Sequence, residues 1–183
     1  MKNAVIYHCR GGSPDDFWYP WLKKELEQRD YQVTVPKFPD SEPSPLSTWL
    51  PFALKASEYN NETVLIGHSS GAVLILSVLE NLQSPIKQAI LVAGFTEPLK
   101  EHDYDADPIL QKSYDWEKIK ANVGEIIFIN SDNDPWGCDE KAGRKMLDQL
   151  GGTLIIPHGQ GHMGSVSFNQ PYQEFPLLVK LIA

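Results

Sequence analysis

Short apolar runs alternate with amphipathic stretches along the whole chain. Ala4-Val-Ile-Tyr7, Thr63-Val-Leu-Ile66, Ala89-Ile-Leu-Val92 and Ile126-Ile-Phe-Ile129 carry no polar alternation, as expected of strands covered on both faces. Strands are predicted near 3–8, 32–36, 62–67, 87–93, 125–130 and 152–156, and helices near 15–29, 46–59, 70–83, 113–121, 137–149 and 171–182. Strands alternating with helices imply an α/β fold with a parallel sheet between two helical layers. Ser84-Pro85 marks a helix exit, and Gly151-Gly152 gives the fifth helix a flexible stop. No repeat or low-complexity segment interrupts the pattern, so residues 1–183 are expected to form one domain.

Two segments break the rhythm. Pro36 to Pro45 contains four prolines and is expected to be a stiff rim leading to the helix that holds Trp49. Gly94 to about Ser113 is rich in acid, with Glu97, Glu101, Asp103, Asp105 and Asp107 opposed by Lys100 and His102. It leaves the fourth strand and is expected to overhang the edge where function lies. It contains no apolar helix, which predicts an open pocket without a cap.

The 183 residues suffice for a sizeable core, and 42% hydrophobic with 22% charged residues is ordinary for a soluble globular chain. The net charge of −8 and the lack of a Lys/Arg block argue against nucleic acid or anionic membrane as partners. The opening Met-Lys-Asn-Ala-Val-Ile-Tyr reads as a strand rather than a signal peptide, and no apolar run reaches membrane-spanning length. Cys9 and Cys138 fall in separate loops and are expected to be free thiols, which points to the cytoplasm.

The chemistry begins where the third strand runs into Gly67-His68-Ser69-Ser70-Gly71, the G-x-S-x-G pattern of a nucleophile elbow. A serine on a sharp strand-to-helix turn needs neighbours without Cβ atoms, and Gly67 and Gly71 provide them. The apolar helix that follows would direct free N–H groups beside Ser69. A serine hydroxyl needs a base, and the base an orienting acid. The fifth strand empties into Ser131-Asp132-Asn133-Asp134-Pro135-Trp136, and the sixth into Pro157-His158-Gly-Gln-Gly161-His162-Met-Gly164. Asp132 or Asp134 could be the acid, and His158 or His162 the base. The order serine, acid, histidine is that of an α/β-hydrolase, whose functional loops share the carboxyl edge of the sheet. The oxyanion hole is expected from the backbone N–H of Ser70 and one from the first loop, Arg10 in preference to Cys9.

The chain resembles the small, cap-less α/β-hydrolases of the retinoblastoma-binding protein 9 type. The resemblance spans His8 and its glycine loop, Phe17-Trp18-Tyr-Pro-Trp21-Leu22, Gly67-His-Ser-Ser-Gly71, Ser131-Asp-Asn-Asp-Pro135 and Gly161-His162. It implies strand order 2-1-3-4-5-6, Ser69 as nucleophile, Asp134 as acid and His162 as base. Relatives usually have His-Gly where this chain has His8-Cys9, and a hydrophobic-Pro pair where it has Gly137-Cys138. The expected activity is hydrolysis of small neutral esters, with amides as a further class, through an acyl-enzyme and without cofactor. The resemblance also implies a second reading, a protein-binding module with a vestigial triad. A nucleotide-binding domain is disfavoured, because no G-x-G-x-x-G follows the first strand.

Other residues have plainer roles. His158 and His162 have zinc-like spacing, but no third ligand lies nearby in sequence, so no metal is expected. His8 and His68 are expected to support the oxyanion loop and the elbow, and His102 to face solvent. Asp134 before Pro135 also reads as a helix N-cap. Trp18 and Trp136 follow strand ends and are expected to line the substrate pocket, whereas Trp21 and Leu22 belong to the buried face of the first helix.

Overall fold

A computed structural model describes residues 1–99 and 107–182. Lys100, Glu101, His102, Asp103 and Asp105, placed in the overhanging segment by sequence, lie outside the described residues. Six strands form one parallel sheet in the order β2-β1-β3-β4-β5-β6. They are β1 (Asn3–Tyr7), β2 (Gln32–Thr34), β3 (Thr63–His68), β4 (Ile86–Val92), β5 (Val123–Ile129) and β6 (Thr153–Ile155). The helices are α1 (Tyr19–Glu27), α2 (Leu46–Ala56), α3 (Ser70–Asn81), α4 (Trp116–Ala121), α5 (Glu140–Leu150) and α6 (Pro176–Leu181). Helix α1 packs with α6, while α2, α3, α4 and α5 touch one another in sequence, giving the two helical layers.

The apolar runs explain the sheet. Every residue of β3 is buried, and so are Ala4 to Tyr7 of β1 and Ala89 to Val92 of β4. α3 is buried continuously from Ser70 to Leu79, as its nearly all-apolar sequence requires. One row of register partners, Tyr7–Gly67–Leu91–Phe128–Leu154, crosses five strands, so the strands end almost level. The loops after β1, β3, β5 and β6 therefore open on one edge.

Four helices start later than the sequence pattern implies, the fourth helix at Trp116 behind an Asp115 cap rather than near 113. The first begins at Tyr19, not near 15, because Asp16 Oδ2 accepts the Ser13 N–H at 2.7 Å and Phe17 takes a left-handed φ of 50°. The fifth begins at Glu140, capped by Asp139, whose carboxylate accepts from the N–H groups of Lys141 and Ala142. Asp134 is thus not a helix cap; its Oδ1 accepts the Trp136 N–H at 2.9 Å in a local turn. The last begins at Pro176.

Candidate active site

Ser69 occupies the junction of β3 and α3 with φ 55° and ψ −119°, a conformation a non-glycine residue holds only under tertiary constraint. Its N–H donates to Val92 O at 2.8 Å, and its carbonyl accepts from Ala72 and Val73, so the turn is tied to both neighbours. The flanking glycines are obligatory. A Cβ on Gly67 would lie 2.4 Å from Gly71 O, and one on Gly71 would lie 2.4 Å from Tyr7 O. Ser70 is the first residue of α3, where an N–H has no acceptor within the helix.

A cleft of about 530 Å³ opens beside Ser69. Ser69, Ser70, His162, Cys9, Arg10 and Trp136 line it, with Phe95, Leu99 and Val166 as apolar wall and Asp16, Glu42 and Asp107 as acidic wall. His162 Nδ1 and Asp134 Oδ2 are 2.7 Å apart, and both side chains are almost entirely withdrawn from solvent. The competing residues pair with each other instead. His158 Nδ1 lies 2.5 Å from Asp132 Oδ2 at the surface, away from the cleft. Their hydrogen bond raises the His158 pKa, while the Gly159 N–H, followed by His158, lowers that of Asp132.

The acid loop also shapes the histidine loop. Asp132 Oδ1 accepts the Gly159 N–H at 2.8 Å, Ser131 Oγ the Gln160 N–H at 3.0 Å, and Asn133 Oδ1 the Gly161 N–H at 2.8 Å. Gln170 Oε1 accepts the His162 N–H at 2.9 Å. Sequence reasoning missed Ser131, Asn133 and Gln170. The available signal was a run of short polar acceptors facing a glycine-rich loop, residues that commonly hydrogen-bond backbone.

Trp18 departs from expectation. It is fully buried and does not reach the cleft; its indole N–H donates to Met163 O at 3.0 Å, and its ring packs near Phe175. Trp136 does line the cleft, in edge-to-face contact with Phe168. In the first loop the Cys9 N–H donates to Tyr19 Oη at 3.2 Å and is spoken for. Arg10 pairs with Glu42 at 2.5 Å and lies 3.8 Å from Asp107. Glu97 is turned towards α5, paired with Lys145, so Asp107 is the member of the acidic segment seen in the cleft among the described residues. Cys9 and Cys138 are both free and buried; burial pushes the Cys9 thiol up to about 11 and the Cys138 thiol well above its ordinary value. The donor atoms of Asp134, Cys138 and His162 lie within 4.8 Å of one another. The Asp134 and His162 donors are hydrogen-bonded to each other, and the Cys138 thiol resists ionisation, so the group fits proton chemistry better than a cation.

A level parallel sheet, a strained serine elbow and a buried carboxylate–imidazole pair at one edge define an α/β-hydrolase. The chain belongs to the serine hydrolase family, whose model matches residues 4–182. It is 32% identical over 170 residues to the serine hydrolase RBBP9 of Rattus norvegicus, covering 91% of this chain and 90% of that protein. It is also 32% identical over 136 residues to the putative hydrolase YdeN of Bacillus subtilis, covering 73% and 71%. The crystal structure of the B. subtilis ydeN product superposes with a TM-score of 0.90 at 25% identity, over 100% of this chain and 97% of that one. Est1E of Butyrivibrio proteoclasticus, solved with ferulic acid bound, shares the fold with a TM-score of 0.70 at 13% identity, over 100% and 86%. No helix among the described residues is long and apolar enough to cross a membrane.

Proposed function

We propose that the chain is a carboxylesterase acting on small neutral esters through Ser69, His162 and Asp134. The observation that carries this reading is the buried 2.7 Å His162–Asp134 hydrogen bond beside a cleft that Ser69 also lines. His162 takes the proton as Ser69 Oγ attacks the carbonyl carbon, then delivers it to the leaving alkoxide. A water, deprotonated by the same imidazole, attacks the acyl-enzyme and releases the acid. Asp134 holds Nδ1 protonated and stabilises the imidazolium. The Ser70 N–H and the Arg10 N–H receive the developing oxyanion; the Cys9 N–H is excluded by its bond to Tyr19. Trp136 and the apolar wall take the uncharged part of the substrate. The two unpaired thiols support a cytoplasmic location.

A second reading, protein binding with a weakly used site, draws on exposed Val166 (84%) and Phe168 (46%) next to Trp136 at the cleft rim. Fluorophosphonate labelling separates the two. The esterase reading expects stoichiometric labelling of Ser69, and Ser69→Ala to abolish both labelling and ester turnover. A folded wild-type protein that neither labels nor turns over esters favours the binding module.

A further inference from the structure

The carbonyl side of the histidine loop is held by residues that the proposed mechanism does not use. His68 Nε2 lies 2.8 Å from the backbone oxygen of His162, and the Trp18 indole N–H holds the next carbonyl, Met163 O. A carbonyl only accepts, so His68 Nε2 carries the proton and Nδ1 presents its lone pair. Tyr19 Oη, 2.7 Å from that nitrogen, must therefore donate to it, which leaves the phenolic oxygen to accept the Cys9 N–H at 3.2 Å. Every donor has one acceptor. The chain runs from the first loop through Tyr19 to His68 at the end of β3, and from His68 into the loop of the proposed base. Both side chains are fully buried.

We propose that Tyr19 and His68 form a positioning unit, which fixes the first loop and the His162 backbone relative to Ser69 so that the oxyanion amide and the base stand at reaction distance. The inference rests on the hydrolase reading of the site. His68 directly precedes Ser69, so its ring moves with the nucleophile. Its grip on His162 O sets the height of the base, while the acid loop and Gln170 set the opposite, N–H side of the same segment. Through Tyr19 the same ring holds the Cys9 N–H. The adjoining peptide plane is fixed as well, because Cys9 O accepts from the Gly12 N–H at 3.1 Å and lies 2.8 Å from His8 Nδ1. His8 Nε2 accepts the Phe38 N–H, so His8 Nδ1 carries the proton and donates. Burial keeps the His68 ring uncharged, its pKa lowered to about 3, so the tautomer persists wherever a histidine base can work. The glycine at 164 belongs to the same device: a Cβ there would lie 2.9 Å from the Phe17 ring and 3.2 Å from His68 Cε1.

Fluorophosphonate labelling, read as both rate and final stoichiometry, tests the unit in His68→Leu, His68→Gln and Tyr19→Phe. His68→Leu keeps bulk but no hydrogen bond; it should label to full stoichiometry at a rate on the order of 100-fold slower, the cost of about 1 Å of misplacement. Ester turnover should lose kcat by a similar factor at nearly unchanged KM. Glutamine can restore an N–H towards His162 O, so His68→Gln should recover much of the loss. Tyr19→Phe, which deletes one hydroxyl, should slow labelling on the order of tenfold. Wild-type rates in His68→Leu and Tyr19→Phe would overturn the proposal. Reduced final stoichiometry at an unchanged rate would also overturn it, since that marks loss of folded protein rather than position. A wild-type protein that does not label at all would remove the hydrolase reading and this inference together.

Discussion

Acid should weaken this fold through one ring, whatever the protein hydrolyses. His68 is fully buried, and burial followed by the neighbouring His162 lowers its pKa from 6.5 to about 3. In the unfolded chain the ring titrates near its ordinary value. Below pH 6.5 the unfolded state therefore binds a proton that the folded state refuses until about pH 3. The ring's full contribution is present above the unfolded pKa and is lost progressively as pH falls through that window. Each pH unit is worth about 1.4 kcal/mol, so moving from about pH 7 to about pH 4.5 removes about 3 kcal/mol through His68. A domain stable by roughly 5–15 kcal/mol feels a loss of that size. His68→Gln cannot titrate and isolates the effect. Urea unfolding at both pH values, followed by the fluorescence of tryptophans such as buried Trp18 and Trp49, gives the two stability differences. The wild type should lose about 3 kcal/mol more than His68→Gln on acidification. Equal losses would refute the reasoning, because the ring would then take up a proton within the fold.

Asp134→Asn should lower kcat on the order of 10⁴-fold by disturbing the His162 tautomer. Asp132→Asn should cost at most about tenfold, because Asp132 faces His158 and its amide oxygen can still accept the Gly159 N–H. A larger loss in Asp132→Asn would reverse the assignment of the acid. Among the described residues, the acidic wall of Asp16, Glu42 and Asp107 against Arg10 predicts poorer kcat/KM for anionic half-esters than for neutral esters of equal size. The gap should narrow as salt rises; a salt-independent ratio would remove the field as its cause.

The strands were readable because each of β1, β3, β4 and β5 contains a four-residue run, at residues 4–7, 63–66, 89–92 and 126–129, without polar alternation, a pattern that leaves few alternatives to a doubly covered sheet. The serine elbow was readable because Gly67 and Gly71 answer a local steric demand. Helix starts were less so. Asp134-Pro135 has the composition of a cap, yet the helix waits for Asp139, because Asp134 is drawn to His162 and only a tertiary contact decides that. Trp18 misled for a related reason. A tryptophan beyond a strand end suits a pocket wall, but its indole N–H found Met163 O, which lies 145 residues away in sequence. Tyr19 gave no local sign of its partners, since Cys9 and His68 reach it only once α1 has docked.

Two aspartates and two histidines of adjacent loops form two carboxylate–imidazole pairs of nearly the same length, and burial separates their capabilities. The His162 and Asp134 side chains are 6% and 0% exposed, those of His158 and Asp132 95% and 34%. A carboxylate withdrawn from water acts on an imidazolium through a low effective dielectric, whereas the outer pair is screened by solvent and salt. The outer pair is therefore a poor source of transition-state stabilisation at any distance. Its effect on the fold is bounded at both ends. The raised His158 pKa lets its contribution persist from below 6.5 until pH passes that raised value, and the lowered Asp132 pKa keeps the carboxylate ionised to lower pH than an ordinary aspartate. The outer pair fastens one loop to the other, and Asp132 spends its second oxygen on the Gly159 N–H. A residue pair that looks like a spare acid and base is, by its exposure and its second hydrogen bond, a fastening for the pair beneath it.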